Sequence, residues 1–362
     1  MASAMNMSTS AAAQTLLVAG VRRALGNDTA LPLCSEEILS EALALAERNK
    51  LVTELATALA DWGVSPSVGL LAAIARYRMT ARRKADLAHR SLLAVGGALD
   101  TAGIPWIAYK GVVTQIQLGL GTENRPSNDL DILVRRNEFD EALRVLSAAG
   151  CTYEEQYATP WWRLWLGEVP VAPPGRNGLT IDLHNKLQQP GCPAPRHTSL
   201  WVESRCYVDF NGLPVPTAEP VAMALLSAIN VIKALAHHEC AGSHAVVLCR
   251  FLLNEVPRFH SDVESFARQQ GLTQTLVLAR HVASALIGTP LPGSGAPVPM
   301  EHDWIDLMLC PLKDVGRGPR HRSFLWALSE GRSLAKLARF ARDSLTTVSS
   351  EWVRRQEQIE PS

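Results

Sequence analysis

Two aspartates two residues apart, Asp129 and Asp131, lead into Ile132-Leu133-Val134 and follow the polar stretch Arg125-Pro126-Ser127-Asn128. Such a run predicts a strand, and strand alternation sends both carboxylates out of one face. At about 4 Å and an effective dielectric of about 20, two such anions repel by about 4 kcal/mol, which a fold tolerates when a cation sits between them or one is protonated. Asp182, in Ile181-Asp182-Leu183-His184, alternates with apolar neighbours and offers a third carboxylate, with His184 on the same face. Hard oxygen donors favour Mg²⁺ or Mn²⁺, and Asp182 has the chemistry of a general base that also touches a metal. Removing one of these acids should relieve repulsion, so Asp131→Asn is expected to be as stable as the parent without metal.

A β-rich segment at 104–109, then Lys110-Gly111 and a helix over 111–118, predicts a strand, a tight turn and a helix N-terminus. The N–H groups and dipole of such an end favour an anion, and Gly111 lets the backbone approach one closely. Arg125 and Ser127 stand just before the metal strand. Arg125 either neutralises a phosphate or anchors its loop by hydrogen bonds.

In chain order the sequence thus has Lys110-Gly111, then Arg125 to Asp131 in an Arg-x-x-x-Asp-x-Asp pattern, then Asp182-Leu183-His184. This resembles the polymerase-beta-like nucleotidyltransferases, most closely their branch of uncharacterised nucleotidyltransferases. The likeness runs over about residues 90–260 and includes Leu200-Trp201 and Gly212-Leu213-Pro214-Val215-Pro216. It implies an α+β fold, with a mixed-sheet core between N-terminal and C-terminal helical parts. It also implies transfer of an NMP from an NTP to a hydroxyl or phosphate acceptor, with release of pyrophosphate. In that reading Asp129, Asp131 and Asp182 are catalytic and hold Mg²⁺ or Mn²⁺, while Lys110, Gly111, Arg125, Ser127 and His184 bind substrate. The acceptor is left open between RNA, a protein or peptide, and a small molecule. The alternative is a non-catalytic NTP-binding accessory or regulatory protein on the same fold. Two departures stand out: Lys110-Gly111 replaces a Gly-Ser pair of related enzymes, and Asn254 occupies the place of an Asp.

The chain has 362 residues, 47% of them hydrophobic, which suffices for packed cores and suggests about two domains. Thirty-five basic and 35 acidic residues give no net charge, so whole-molecule attraction to nucleic acid is not indicated. Seven scattered cysteines without a CxxC pair fit reduced thiols in a cytoplasm. The apolar run at 11–21 is short and precedes its basic residues, so no secretory signal is expected, and no stretch approaches a membrane span.

Residues 1–12 read as a loose tail, 13–100 as an N-terminal helical region, 101–217 as the α/β core and 218–362 as a C-terminal helical domain. Within these, helical spacing covers 13–25, 36–62 and 67–100, then 136–149, 220–238, 244–259, 262–269, 273–287, 304–312 and 322–345. Strands are expected at 128–134, 151–157, 178–184, 200–210 and 213–216, with 160–177 as a long loop or hairpin over the site. Trp161, Trp162 and Trp165 in that loop either stack on a base or simply pack. Arg76 to Lys84 and Arg317 to Arg342 are basic stretches that read first as solvated faces and second as weak, salt-sensitive RNA contacts. His237, His238, Cys240 and His244 offer zinc donors, but at no recognised spacing.

Overall fold

The computed structural model describes residues 11–188, 192–253, 257–293 and 303–311. The expected helix at 322–345, its basic side chains, residues 1–10 and Asn254 lie outside them. The described residues begin with three helices, α1 (Ala11–Ala24), α2 (Glu36–Asn49) and α3 (Val52–Asp61), and the long α4 (Val68–Thr101) follows. Strand β1 (Trp106–Tyr109), helix α5 (Gly111–Gln117) and strand β2 (Asp129–Val134) lead to α6 (Phe139–Ala148). Then come β3 (Glu168–Val171), β4 (Thr180–His184), the short α7 (Ser199–Glu203), and a hairpin of β5 (Arg205–Phe210) and β6 (Leu213–Ala218). The described chain ends in α8 (Pro220–Ala236), α9 (Gly242–Leu252), α10 (Pro257–Gln270), α11 (Thr273–Ile287) and α12 (Trp304–Leu309).

The four strands β1 to β4 form a mixed sheet in the order β1-β2-β4-β3, giving the α+β class that the sequence pattern suggests. The middle strands β2 and β4 are parallel, and each outer strand is antiparallel to its neighbour. Alternation divides the sheet cleanly. Leu130, Ile132 and Val134 with Ile181, Leu183, Val169 and Val171 are buried against apolar side chains of α4 and α6, among them Leu92, Val95, Leu99, Phe139 and Leu146. The opposite face carries Asp129, Asp131, Asp182, His184 and Glu168 at the ends of the strands and Ile107, Tyr109 and Leu133 beside them. Those three large side chains join the other core, built from α1 to α3 and α7 to α12.

At the centre of that second core lies α8, which is buried over almost its whole length because it is apolar on every side. The N-terminal helices α1 to α3 therefore share their core with the C-terminal helices, and α4 lies against the sheet.

Several boundaries differ from the periodicity reading. The pattern over 36–62 is two helices, because Lys50 adopts the left-handed conformation (φ 56°, ψ 42°) and ends α2. The expected strand at 151–157 is reduced to a single bridge, Thr152 to Ala172. The stretch at 160–177 is more ordered than a loop, with a π-helical turn at Trp161–Leu166 and the edge strand β3. Pro170 hides that strand in the sequence, yet an edge position is where a sheet accepts proline. The stretch at 200–210 begins as α7, and 244–259 is interrupted after α9.

Candidate active site

Strands β2 and β4 are parallel with Asp131 directly opposite Asp182, so two of the three expected carboxylates are neighbours across the sheet. Asp129 stands one alternation earlier on β2, and its register partner is Thr180. Glu168 of β3 is opposite His184 of β4, which adds a fourth acid to the same face. Glu168 is absent from the sequence reading; its signal is the alternation of Glu168-Val169-Pro170-Val171, masked by Pro170.

Lys110 lines both clefts of this face and is paired with one of its acids. Its ammonium donates to Asp131 Oδ1 at 2.7 Å, with the side chains only 24% and 12% exposed, and lies 4.9 Å from the centre of the Tyr109 ring. His184 Nε2 lies 3.2 Å from the same oxygen, and its Nδ1 lies 3.7 Å from Glu168 Oε2. Asp131 is thus already neutralised by the fold. Burial alone would raise its carboxyl, but the Lys110 charge and the adjacent His184 hold it well below the usual carboxylate range. Burial likewise opposes the charge on Lys110, and Asp131 outweighs it and raises the ammonium.

Asp182 is in the reverse situation. Burial first, then the charge of Glu168, push it up to about 7, with His184 offsetting only part of this. Asp129 is also raised, by burial and then by Asp131. The expectation that Asp131→Asn relieves repulsion is therefore corrected: the repelled acid is Asp182, and Asp131 is the paired one.

The Lys110-Gly111 turn has positive φ at both residues, 67° and 53°. A Cβ on Gly111 would meet Ser127 Oγ at 2.6 Å, so the space left by the missing side chain is filled by Ser127 from the loop before β2. Gly111 thus contributes to fold stability, and loss of that stability is the first effect expected of Gly111→Val. Arg125 is fixed in that loop by reciprocal bonds with Gln115: its N–H donates to Gln115 Oε1 at 2.9 Å, and Gln115 Nε2 donates to its carbonyl at 2.9 Å. Its guanidinium donates to the Ser243 carbonyl at 3.3 Å, and burial lowers its affinity for its proton.

Two clefts meet at this face and share Lys110, Asp129, Asp131 and Lys233. One contains Glu168, Asp182, His184 and Lys186. The other contains Gly111, Arg125, Ser127, Lys50 and His244. Of the π-helical turn, Leu166 lines the first cleft, whereas Trp162 packs edge-on against Tyr157 at 4.6 Å. The histidines and cysteine considered for zinc are spread out: His237 Nε2 lies 3.2 Å from Cys192 Sγ, Cys240 Sγ lies 3.9 Å from the Leu309 carbonyl, and His244 lines the second cleft.

Among the described residues, Glu168, Asp182 and His184 form a group that could hold a metal ion, with ligand atoms within 4.8 Å of one another. Burial first and the charge of Glu168 second raise the Asp182 carboxyl, and a divalent ion held by this group would favour its ionised form. Among the described residues, no helix is long and apolar enough to cross a membrane. No curated protein is similar enough to the chain to count as a relative. The family of uncharacterised nucleotidyltransferases, however, matches residues 35–288, more than two thirds of the chain and both flanks of the acidic face, and the chain belongs to that family.

Proposed function

We propose that this chain moves an NMP from an NTP to a hydroxyl or phosphate of an acceptor, with release of pyrophosphate, and that Mg²⁺ or Mn²⁺ serves the reaction. The observation that carries this reading is the register of Asp131 with Asp182, joined on one face by Asp129, Glu168 and His184 and bordered by the Gly111, Arg125 and Ser127 cleft. Asp182 would hold the ion with Glu168 and His184, or with Asp129 and Asp131. Once bound, the ion neutralises phosphate charge and acidifies the attacking group. In this reading Asp182, opposite Asp131 in the strand register, is the carboxylate that accepts a proton from an acceptor hydroxyl. Lys110 keeps Asp131 ionised and fixes its direction. The acceptor belongs to one of three classes, RNA, a protein or peptide, or a small molecule, and a cytoplasmic setting suits a protein with seven free cysteines.

One observation favours a second reading. Lys110 sits 2.7 Å from Asp131, where a cation is already in place without a metal. On that reading the chain binds an NTP without turning it over and acts as an accessory protein. Incubation of the protein with each NTP and Mg²⁺ or Mn²⁺, followed by mass spectrometry of the protein and of acceptor pools, separates the two. An added NMP mass supports transfer, and intact NTP bound in every case supports the accessory role.

A further inference from the structure

Three cations, Lys50, Arg125 and Lys233, line the second cleft. Lys50 ends α2 in the left-handed conformation, where glycine or asparagine is the usual residue. Its turn is held on both sides: Leu51 N–H donates to the Ala46 carbonyl at 2.8 Å, and buried Asn49 donates to the carbonyls of Leu45 and Leu309. A strained conformation retained by a rigid frame is a feature of functional positions. Lys233 is the sole charged residue of α8, a helix otherwise buried in the core. Asn230 lies one turn before it, and both line the cleft. Arg125 is the third, with the Ser243 carbonyl as its hydrogen-bond acceptor.

Among the described residues, none of these three groups has a carboxylate within ion-pairing distance, whereas Lys110 is already paired with Asp131. The acids that line the cleft are Asp129 and Asp131 at its shared wall and exposed Glu239. His244 registers the resulting field: burial, then Arg125, Lys50, Lys110 and Lys233 in turn, push its imidazole down to about 3. Three positive charges lining one concavity, beside acids that suit a metal, match the charge of a polyphosphate better than that of a single phosphate.

We infer that Lys50, Arg125 and Lys233 form a polyphosphate subsite between the sheet and the helical body, taking the end of the NTP that leaves as pyrophosphate. This rests on the nucleotidyl-transfer reading above and adds to Arg125, which the motif already marks, two groups that no motif identifies, Lys50 and Lys233. The NTP tail then lies on the basic side of Asp129 and Asp131, and the acceptor enters from the side of Glu168 and Asp182. Two of its three cations come from α2 and α8, which lie outside the α/β part.

The test uses the full chain and calorimetric titration with three probes, inorganic tripolyphosphate, orthophosphate and an NTP with Mn²⁺. The parent is compared with Lys50→Gly and Lys233→Met. Glycine at position 50 suits the positive φ, so this variant should melt no lower than the parent while losing the charge. Lys233→Met keeps the length of the side chain and suits the apolar surroundings of α8. Each variant should bind tripolyphosphate and NTP at least tenfold more weakly, and the parent should bind orthophosphate far more weakly than tripolyphosphate. Equal tripolyphosphate affinity in parent and folded variants would overturn the subsite, as would a parent that binds no tripolyphosphate. If tripolyphosphate binding depends on both lysines but no NMP is ever transferred, the subsite stands and the transfer reading fails.

Discussion

Asp182→Asn and Asp131→Asn should change the stability of the metal-free protein in opposite directions, although the two residues face each other across one strand pair. Asp182 ionises near pH 7 in the fold against an ordinary 3.8, because of burial and Glu168. At about 1.4 kcal/mol per pH unit, ionised Asp182 costs up to about 4 kcal/mol above pH 7, and its partial contact with solvent reduces this to about 1–3 kcal/mol. Its folded value lies above its unfolded one, so the folded state binds the extra proton between pH 4 and 7 and stability falls as pH rises through that window. Asparagine removes the cost, and the advantage of the variant should open across the same window and be absent at pH 4. For Asp131 the sign is reversed, since its folded value is depressed and its charge holds the half-buried Lys110. Its loss leaves an unpaired ammonium and should cost about 2–4 kcal/mol at pH 8. Urea denaturation in EDTA at pH 4 and pH 8 reads both effects. If Asp182→Asn is destabilised at pH 8 like Asp131→Asn, the assignment of a repelled and a paired carboxylate is wrong.

Glu168→Gln removes the largest charge acting on Asp182, so the fall of stability with rising pH should shrink and move to lower pH; an unchanged pH profile would refute the coupling. Gly111→Ala should cost about 1–2 kcal/mol in urea from the positive φ alone, and more from the Ser127 hydroxyl at 2.6 Å. Ser127→Gly in the same chain should recover the contact part but not the backbone part, and full recovery would contradict the strained turn. Mn²⁺ without nucleotide should raise the melting temperature of the parent at pH 8 and raise that of Glu168→Gln less, since one ligand of the acidic group is lost. An equal rise in both would place the ion away from Glu168.

The sheet and its acids were legible because strand alternation leaves a strong trace. Ile132-Leu133-Val134 and Ile181-Asp182-Leu183 specify which side is buried, and with it where Asp129, Asp131 and Asp182 emerge. Glu168 was not legible, because Pro170 argues against a strand unless the edge position is known. Sequence order also cannot tell that the Lys110 side chain crosses to Asp131 on the adjacent strand. Lys50 and Lys233 carried no signal for a site. One looks like a helix-interior lysine in the 36–62 pattern, and the other like a solvated face of a helix that is in fact a core element.

The most direct test of the acidic face as the metal and nucleotide centre is thermal melting of parent and Asp131→Asn, each with and without Mn²⁺ and NTP together. The parent should gain a clear rise in melting temperature, a mass-action effect of ligands that bind only the folded chain. Asp131→Asn should start lower, as an unpaired Lys110 requires, and gain little. The same rise in both proteins would mean that metal and nucleotide bind away from Asp131, and the acidic face would lose its assigned role.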